Sequence, residues 1–529
     1  MSRPKVVIAD PVSPLCSEIL LRAGIEVEVR TGAPAADLRE ALSGAAGLVV
    51  RSETKVTEEL LAAAPSLRVV GRAGTGVDNI DVAAATRRGV VVMNAPGENT
   101  IAAAEHTLSL MLALARNIPC ADRSMKAGKW DRARFLGVEL LGKTLGVVGL
   151  GKVGREVASR ARAFGMEILG FDPFLPEEVV ARLGFEMVPL TDLLARSDFL
   201  TIHIPLNAQT RHLVGAAELE KCRPGLRIVN CARGGIVDEA ALAKAIQEGR
   251  VAGAALDVYE KEPPGAGHPL VGLDAVVATP HLGASTFEAQ EKVAVRIAEQ
   301  IVAFLQRGSV AGAVNMDPIE PEVLRVLSPW LDLAERLGRL QSRMARSAAD
   351  EVAVEYSGAL LDHPISPLTA AFLKGCLEGI VTEPLNRVNA PILAREMGLK
   401  IQEVRASDAI DYASLITTRL RAGGLQRTIS GTLFGKRDLR IVRLDDYDVD
   451  AVPSGEMLIC SNDDRPGMIG GLGTLLGEAG INIAQLSLGR DRTGGRALAI
   501  LNLDSPIDPA LLERIRNLRG ILWAEQVSL

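Results

Sequence analysis

An α/β fold is what this sequence predicts: two doubly wound parallel sheets in succession, then a mixed α+β region and a small terminal α+β module. Three observations predict it. Short apolar runs alternate with amphipathic stretches through the first half of the chain, the pattern of strands joined by crossover helices. A glycine-rich turn near position 150 leads one of those runs straight into a helix. The last stretch, 454–529, reads strand, helix, strand, strand, helix, strand, the ferredoxin-like order.

In chain order, KVVIAD, GLVVRS, LRVVGRAGTG and VVVMNAP read as buried strands of a first sheet. SEILLRAG, DLREALSG, TEELLAAAP and NIDVAAATRRG read as the helices between them. A long helix is expected from Thr100 to Arg116, after which the sheet pattern restarts at TLGVVGL. It continues through MEILGFDP, FLTIHIPL, RIVNCARGG, GAALDVY and AVVATPH. A long amphipathic helix begins near Ser285, and beyond Asp317 the composition shifts. That region places helices first (VLSPWLDLAERLGRLQSRMAR) and strands later (RTISGTLF, RIVRLDD). In the terminal module MLICSN, NIAQLSLG, RALAILNL and ILWAEQVS are the strands, with MIGGLGTLLGEAG and PALLERIRNL as helices.

Composition narrows the function. The 529 residues give room for three or four domains at roughly 150 residues each. A net charge of −6 and only 3 Trp, 4 Tyr and 10 Phe provide neither the basic footprint nor the stacking surface of a nucleic-acid binder. MSRPKVVIADPVSP has no apolar signal core, and no run of about 20 uncharged apolar residues occurs. A chain confined to the cytoplasm is therefore expected. The six cysteines are scattered without CxxC pairs, which predicts neither a disulfide framework nor a metal site.

The strand LGVVGL runs into Gly149-Leu150-Gly151-Lys152-Val153-Gly154. In such a GxGxxG turn the first glycine makes the bend and the second admits a pyrophosphate to the backbone. The third lets helix and strand pack closely, and the helix N-terminus faces the phosphates. The next strand ends at Asp172, where a carboxylate accepts the ribose hydroxyls and repels a 2′-phosphate, so NAD is expected rather than NADP.

Arg233, Glu262 and His281 each follow a different strand of the second sheet, and the carboxyl ends of such strands are where ligands bind. An imidazole titrates near neutrality and can take the proton of an alcohol. A carboxylate beside it stabilises the protonated ring, and a guanidinium can grip a carboxylate by two hydrogen bonds. Singly, each reads more readily as a solvated loop charge, and spacing alone does not bring them together. His106, inside an apolar helix, reads as core packing; His203 ends a strand without a catalytic signal. Cys231 has no recognisable base and reads as packing.

GLGKVG with Asp172, NCARGGIVDEAAL, ALDVYEKEPP and TPHLGASTFEAQ together resemble the D-isomer-specific 2-hydroxyacid dehydrogenases. The resemblance implies Rossmann-like domains and three catalytic roles. Arg233 would bind the substrate carboxylate, Glu262 would support the imidazole, and His281 would exchange the proton. VVRSETKV, GRAGTGVDNID, SMKAGKWDRARFLGVEL and the two C-terminal regions resemble the members that oxidise D-3-phosphoglycerate with NAD. That implies a substrate domain from 1–97 and 286–316, an NAD domain over 98–285, an intervening regulatory domain over 317–453 and an amino-acid-binding ACT domain over 454–529. Arg51 and Gly74 would face the substrate, with Arg132 reaching across from a neighbouring subunit and Lys129 adding charge. Thr75, Lys152, Val153, Ile204, Cys231, Ala232, Asp257, Gly283 and Ala284 would join the glycine turn, Asp172, Arg233 and His281 around the cofactor.

In SNDDRPGMIGGLGTLLGEAGINIAQLSLG the turn DDRPG opens a helix whose exposed N–H groups can hold a carboxylate. By resemblance, Asn462, Asp464 and Asn482 are candidates for an amino-acid effector such as L-serine, bound between paired copies. Related enzymes often differ at Asn462, so a response to serine stays open. Lys436, Arg437 and Arg440 read as an exposed charged hairpin. The expected activity is oxidation of D-3-phosphoglycerate to 3-phosphohydroxypyruvate, at the entry to serine synthesis, in a homodimer or tetramer. The alternatives are a dehydrogenase for another 2-hydroxyacid, such as glycerate or glyoxylate, and a sensor of NAD or amino acids without turnover.

Overall fold

The computed structural model describes residues 3–529 apart from 177, 178, 180, 181, 183, 346 and 407–410. The first sheet is parallel, with its strands in the spatial order Glu26–Val29, Lys5–Ile8, Gly47–Val50, Val69–Arg72, Val91–Asn94. Its central strands are apolar on both faces because helices cover both. Strand Glu26–Val29 is not among the expected elements. Its EVEV sequence lies half-exposed at the sheet edge, so charge alternates with valine and the run never looks like a buried strand. The order of the sheet reverses between Lys5–Ile8 and Gly47–Val50. Ligands settle outside the carboxyl ends of strands at such a reversal, and Arg51 follows the second of the two.

Helix Thr100–Ala115 carries the chain into the second parallel sheet. That sheet orders its strands Val276–Ala278, Val251–Leu256, Leu226–Asn230, Phe199–Ile202, Thr144–Val148, Glu167–Phe171, Glu186–Met187. This is the doubly wound dinucleotide order with one more strand at the edge. Its reversal lies between Thr144–Val148 and Phe199–Ile202, immediately before Gly149. Helix Phe287–Arg307 then returns to the first sheet. A Cβ on Gly71 would come 2.8 Å from both Ile297 and Ile301, so glycine there lets this helix lie directly on the strand. Asn315 fastens the returning chain, accepting from Val92 N–H at 2.9 Å and donating to the Val90 carbonyl at 2.9 Å.

The remaining chain forms two more sheets. Six strands run in the order Lys400–Ala406, Ala349–Gly358, Ser414–Ala422, Leu425–Phe434, Asp438–Leu444, Tyr447–Ala451. All pair antiparallel except the first two. Helices Pro321–Met344 and Ser366–Leu377 touch backbone to backbone where a Cβ on Gly375 would meet the Glu335 carbonyl at 1.9 Å. The terminal sheet, antiparallel in the order Ile483–Arg490, Arg496–Leu503, Glu456–Asp463, Ile521–Ser528, is covered on both faces. Leu458, Cys460 and Leu501 pack on helices Met468–Glu478 and Pro509–Arg516. Met457, Ile459 and Ile500 join the core built around helix Pro321–Met344. Double burial explains the unbroken apolar run MLIC. No helix among the described residues is long and apolar enough to cross a membrane.

Candidate active site

The glycine turn is built as its three positions require. Gly149 has φ +89°, a left-handed conformation that side chains disfavour. A Cβ there would strike Ile204 Cγ2 at 2.6 Å and the His203 carbonyl at 2.7 Å. Gly151 sits at the N-cap of helix Lys152–Ala163 with no side-chain cap, and a Cβ there meets nothing within 4 Å. A Cβ on Gly154 would lie 2.0 Å from the Gly149 carbonyl oxygen. Uncapped helix N–H groups thus open onto empty space, as a pyrophosphate needs. Asp172 accepts from Leu150 N–H at 2.9 Å and from Phe174 N–H at 3.0 Å. These bonds hold its carboxylate at the strand end with lone pairs to spare for ribose hydroxyls. The residues present therefore fit an NAD molecule. Lys152 reaches sideways, its Nζ standing 2.7 Å from where a Gly97 Cβ would be. Burial pushes His203 down to about 4, and its Nε2 lies 2.9 Å from Thr201 Oγ1.

A cleft of about 420 Å³ separates the first two sheets. Arg51, Arg72, Gly74, Thr75, Cys231, Arg233, Asp257, Glu262, His281, Gly283 and Ala284 all line it. His281 Nδ1 lies 2.8 Å from Glu262 Oε2, and Glu262 Oε1 accepts from Tyr259 N–H at 3.1 Å. Burial pushes the Glu262 carboxyl up, but the bond and charge from His281 together with the Tyr259 N–H hold it below its ordinary value. With Nδ1 engaged by Glu262, Nε2 is the nitrogen of His281 left for a ligand. Arg233 Nε reaches Asp78 of the other domain at 3.1 Å, while its Nη1 donates to the Ala232 carbonyl at 2.7 Å. Asn230, 2% exposed, shapes that turn by donating to the Arg233 carbonyl at 2.9 Å and accepting from Ala232 N–H at 3.0 Å.

Asp257 is fully buried. Burial raises its carboxyl, yet His106, Thr279 and the Leu282 N–H outweigh that and hold it low. It accepts from Thr279 Oγ1 at 2.6 Å, from Leu282 N–H at 2.7 Å and from Gly283 N–H at 2.8 Å. It is the clamp that fixes the His281–Gly283 turn. His106 corrects the expectation of core packing: its Nε2 lies 3.1 Å from Oδ1 of Asp257, so the ring holds the clamp. Cys231 is half-buried, its thiol pushed up to about 12 by desolvation, the state of a packing residue rather than a nucleophile. Thr75 donates to Asn99 Oδ1 at 2.9 Å.

Arg72 escaped the sequence reasoning. It ends strand Val69–Arg72, and its guanidinium lies so close over Gly74 that a Cβ there would sit 1.7 Å from Nη1. Its Nε has no hydrogen-bond partner among the described residues, and burial, reinforced by the neighbouring Arg233 charge, pushes its pKa down to about 10. Arginine directly after an apolar strand was the available signal, the same one that singles out Arg51. Arg51 itself is anchored by its N–H to Asp10 Oδ2 at 2.6 Å. Arg132 and Lys129 lie exposed and outside this cleft.

In the terminal module Asn462 is 2% exposed, and its Oδ1 has no partner among the described residues. Asp464 accepts from Gly494 N–H at 2.9 Å and faces Arg490 at 3.6 Å, and Asn482 is bonded to Asp504 at 2.7 Å. Lys436 and Arg437 are exposed in the hairpin, whereas Arg440 pairs with Asp450 at 3.1 Å.

Comparison with known proteins agrees with this architecture. The model of the D-isomer specific 2-hydroxyacid dehydrogenase NAD binding domain matches residues 108–283. That of the D-3-phosphoglycerate dehydrogenase intervening domain matches 326–445, and the ACT domain matches 457–520. The chain is 46% identical to the D-3-phosphoglycerate dehydrogenase of Archaeoglobus fulgidus, over 99% of this chain and 100% of that one. It is 43% identical to that of Methanocaldococcus jannaschii, over 98% of each. Among solved structures, a glyoxylate reductase from Paecilomyes thermophila aligns with TM-score 0.54 and 31% identity, over 59% of this chain and 99% of its own. The chain belongs to the D-3-phosphoglycerate dehydrogenase family of NAD-dependent D-isomer specific 2-hydroxyacid dehydrogenases.

Proposed function

We propose that this enzyme oxidises D-3-phosphoglycerate to 3-phosphohydroxypyruvate, the entry to serine synthesis. The observation that carries the reading is the Glu262–His281 pair, 2.8 Å apart, lining one cleft with three guanidinium groups, those of Arg51, Arg72 and Arg233. Oxidation removes a hydride from C2 and a proton from its hydroxyl. When bound, NAD supplies the hydride acceptor. His281 takes the hydroxyl proton at Nε2, and Glu262 stabilises the imidazolium through Nδ1. Arg233 holds the substrate carboxylate and aligns C2. Arg51 and Arg72, on the opposite domain, take the phosphate dianion, for which the desolvated Arg72 guanidinium, in no ion pair among the described residues, is suited. The Asp257 clamp keeps the His281 turn in place.

The enzyme acts in the cytoplasm as a homodimer or tetramer. Arg132 enters the neighbouring subunit's cleft, a reading supported by its exposure and by the exposed apolar side chains of Trp130, Leu136 and Leu141 beside it. Asn462, Asp464 and Asn482 hold an amino-acid effector such as L-serine in the ACT module. A second reading, turnover of glyoxylate or glycerate, is favoured only by the likeness of the first two domains to a glyoxylate reductase.

One assay separates these readings: NADH formation from D-3-phosphoglycerate and from D-glycerate, each with and without L-serine. A kcat/KM larger for the phosphorylated acid supports the reading. A larger value for glycerate gives the second, and NAD binding without NADH formation refutes both.

A further inference from the structure

We propose that Glu239 is a positioning residue for the Glu262–His281 pair, its carboxylate bridging the Glu260 backbone and the His268 ring and so fixing the loop that presents Glu262. The inference rests on the catalytic assignment above. Glu239 opens helix Glu239–Gln247, which directly follows the turn carrying Arg233. Asp238 already caps that helix, accepting from Ala241 N–H at 2.9 Å, so the Glu239 side chain is not needed there. It turns away from its own helix instead. Oε1 accepts from Glu260 N–H at 2.7 Å and Oε2 meets His268 Nε2 at 2.9 Å.

The ring of His268 is held in one tautomer. Its Nδ1 accepts from Leu270 N–H at 3.3 Å, which leaves the proton on Nε2 to be donated to Glu239. The same ring stands edge-on to Tyr259, with centroids 5.5 Å apart and planes at 81°. Tyr259 is the hub of the loop. Its hydroxyl shares its one proton between the Leu256 carbonyl at 3.2 Å and the Thr279 carbonyl at 3.1 Å, while its N–H donates to Glu262. Thr279 lies two residues before His281. A single half-buried carboxylate, 16% exposed at its side chain, thus ties the Arg233 turn to the loop whose geometry sets Glu262 against His281. Both of its bonds are charge-assisted. A glutamine offers one acceptor to these two donors and satisfies only one of them; alanine satisfies neither.

Turnover depends on placement at this scale, where a displacement of about 1 Å costs up to about a hundredfold. Steady-state kinetics of the full-length enzyme at saturating D-3-phosphoglycerate and NAD test the proposal, with thermal melts confirming that each variant is folded. Glu239→Ala is expected to lower kcat about tenfold to a hundredfold with the KM for NAD within about twofold, and Glu239→Gln to fall between it and the parent. In a Glu262→Gln background Glu239→Ala is expected to add less than about a twofold loss, because it acts through Glu262. Losses that multiply fully in the double variant, or a folded Glu239→Gln and Glu239→Ala with the parent's kcat, overturn the inference. If Glu262→Gln alone leaves kcat unchanged, the catalytic assignment itself fails and this inference falls with it.

Discussion

The cleft between the two parallel sheets and the terminal antiparallel module treat their polar groups in opposite ways. In the cleft, charged side chains from both domains converge on about 420 Å³ of open volume, and Arg72 has an Nε with no partner among the described residues. In the terminal module Asp464 and Asn482 are already bonded within the chain, and the sheet is buried on both faces. Unsatisfied charge around a cavity identifies a site open to an anionic ligand. Internally satisfied polar groups identify a scaffold. Asn462 and Asn502 are the exceptions, each with a buried Oδ1 that has no partner among the described residues.

Substitutions sharpen this contrast, and the largest effect belongs to the cleft. His281→Ala is expected to lower kcat by about 10² to 10⁴ while NAD affinity, measured by fluorescence titration, stays nearly unchanged. Arg233→Ala removes a charged grip worth about 1.5–3 kcal/mol, so kcat/KM for the phosphorylated acid is expected to drop about tenfold to a hundredfold or slightly more. Gly154→Ala would press a Cβ to 2.0 Å from the Gly149 carbonyl. An overpacking loss of about 1–3 kcal/mol is expected in denaturant unfolding, together with weaker NAD binding.

His203 gives a pH signature. Its folded pKa, about 4, lies below the unfolded value near 6.5, so the unfolded chain binds the proton first. Stability is expected to fall as pH drops from about 6.5 towards 4, by at most about 3 kcal/mol from this residue. His203→Asn should flatten melting temperature against pH over that interval. The smallest catalytic effect belongs to the terminal module: Asn462→Ala is expected to leave kcat within about twofold and to abolish any response to L-serine. A large loss of basal turnover in that variant would erase the contrast between the two regions.

Much of the fold was legible because burial wrote itself into the sequence. GLVV, LGVVGL and MLIC are apolar on both faces, and each is a strand with both faces covered. The glycine turn was legible position by position, since each glycine answers a local steric demand. Strand Glu26–Val29 was not, because an exposed edge leaves charges between its valines. In the site, Arg233, Glu262 and His281 were readable as residues following strands, but their convergence was not. Arg233 and the Asp257 clamp meet partners from far along the chain: Asp78 lies 155 positions from Arg233 and His106 lies 151 from Asp257. Periodicity cannot report such contacts, and His106 looked like helix packing for that reason. Arg72 carried the same local signal as Arg51, and only its burial against Gly74 distinguishes it from a surface charge.

The central claim is that imidazole, carboxylate and guanidinium surround one carbon of the substrate. A crystal structure of the enzyme with NAD and D-3-phosphoglycerate, both bound in an inactive His281→Asn variant, tests it most directly. The C2 hydroxyl is expected within about 3.5 Å of the residue-281 side chain, with the substrate carboxylate on Arg233 and the phosphate beside Arg51 and Arg72. A substrate seated with its C2 hydroxyl away from residue 281, or with no anion at Arg233, would contradict it.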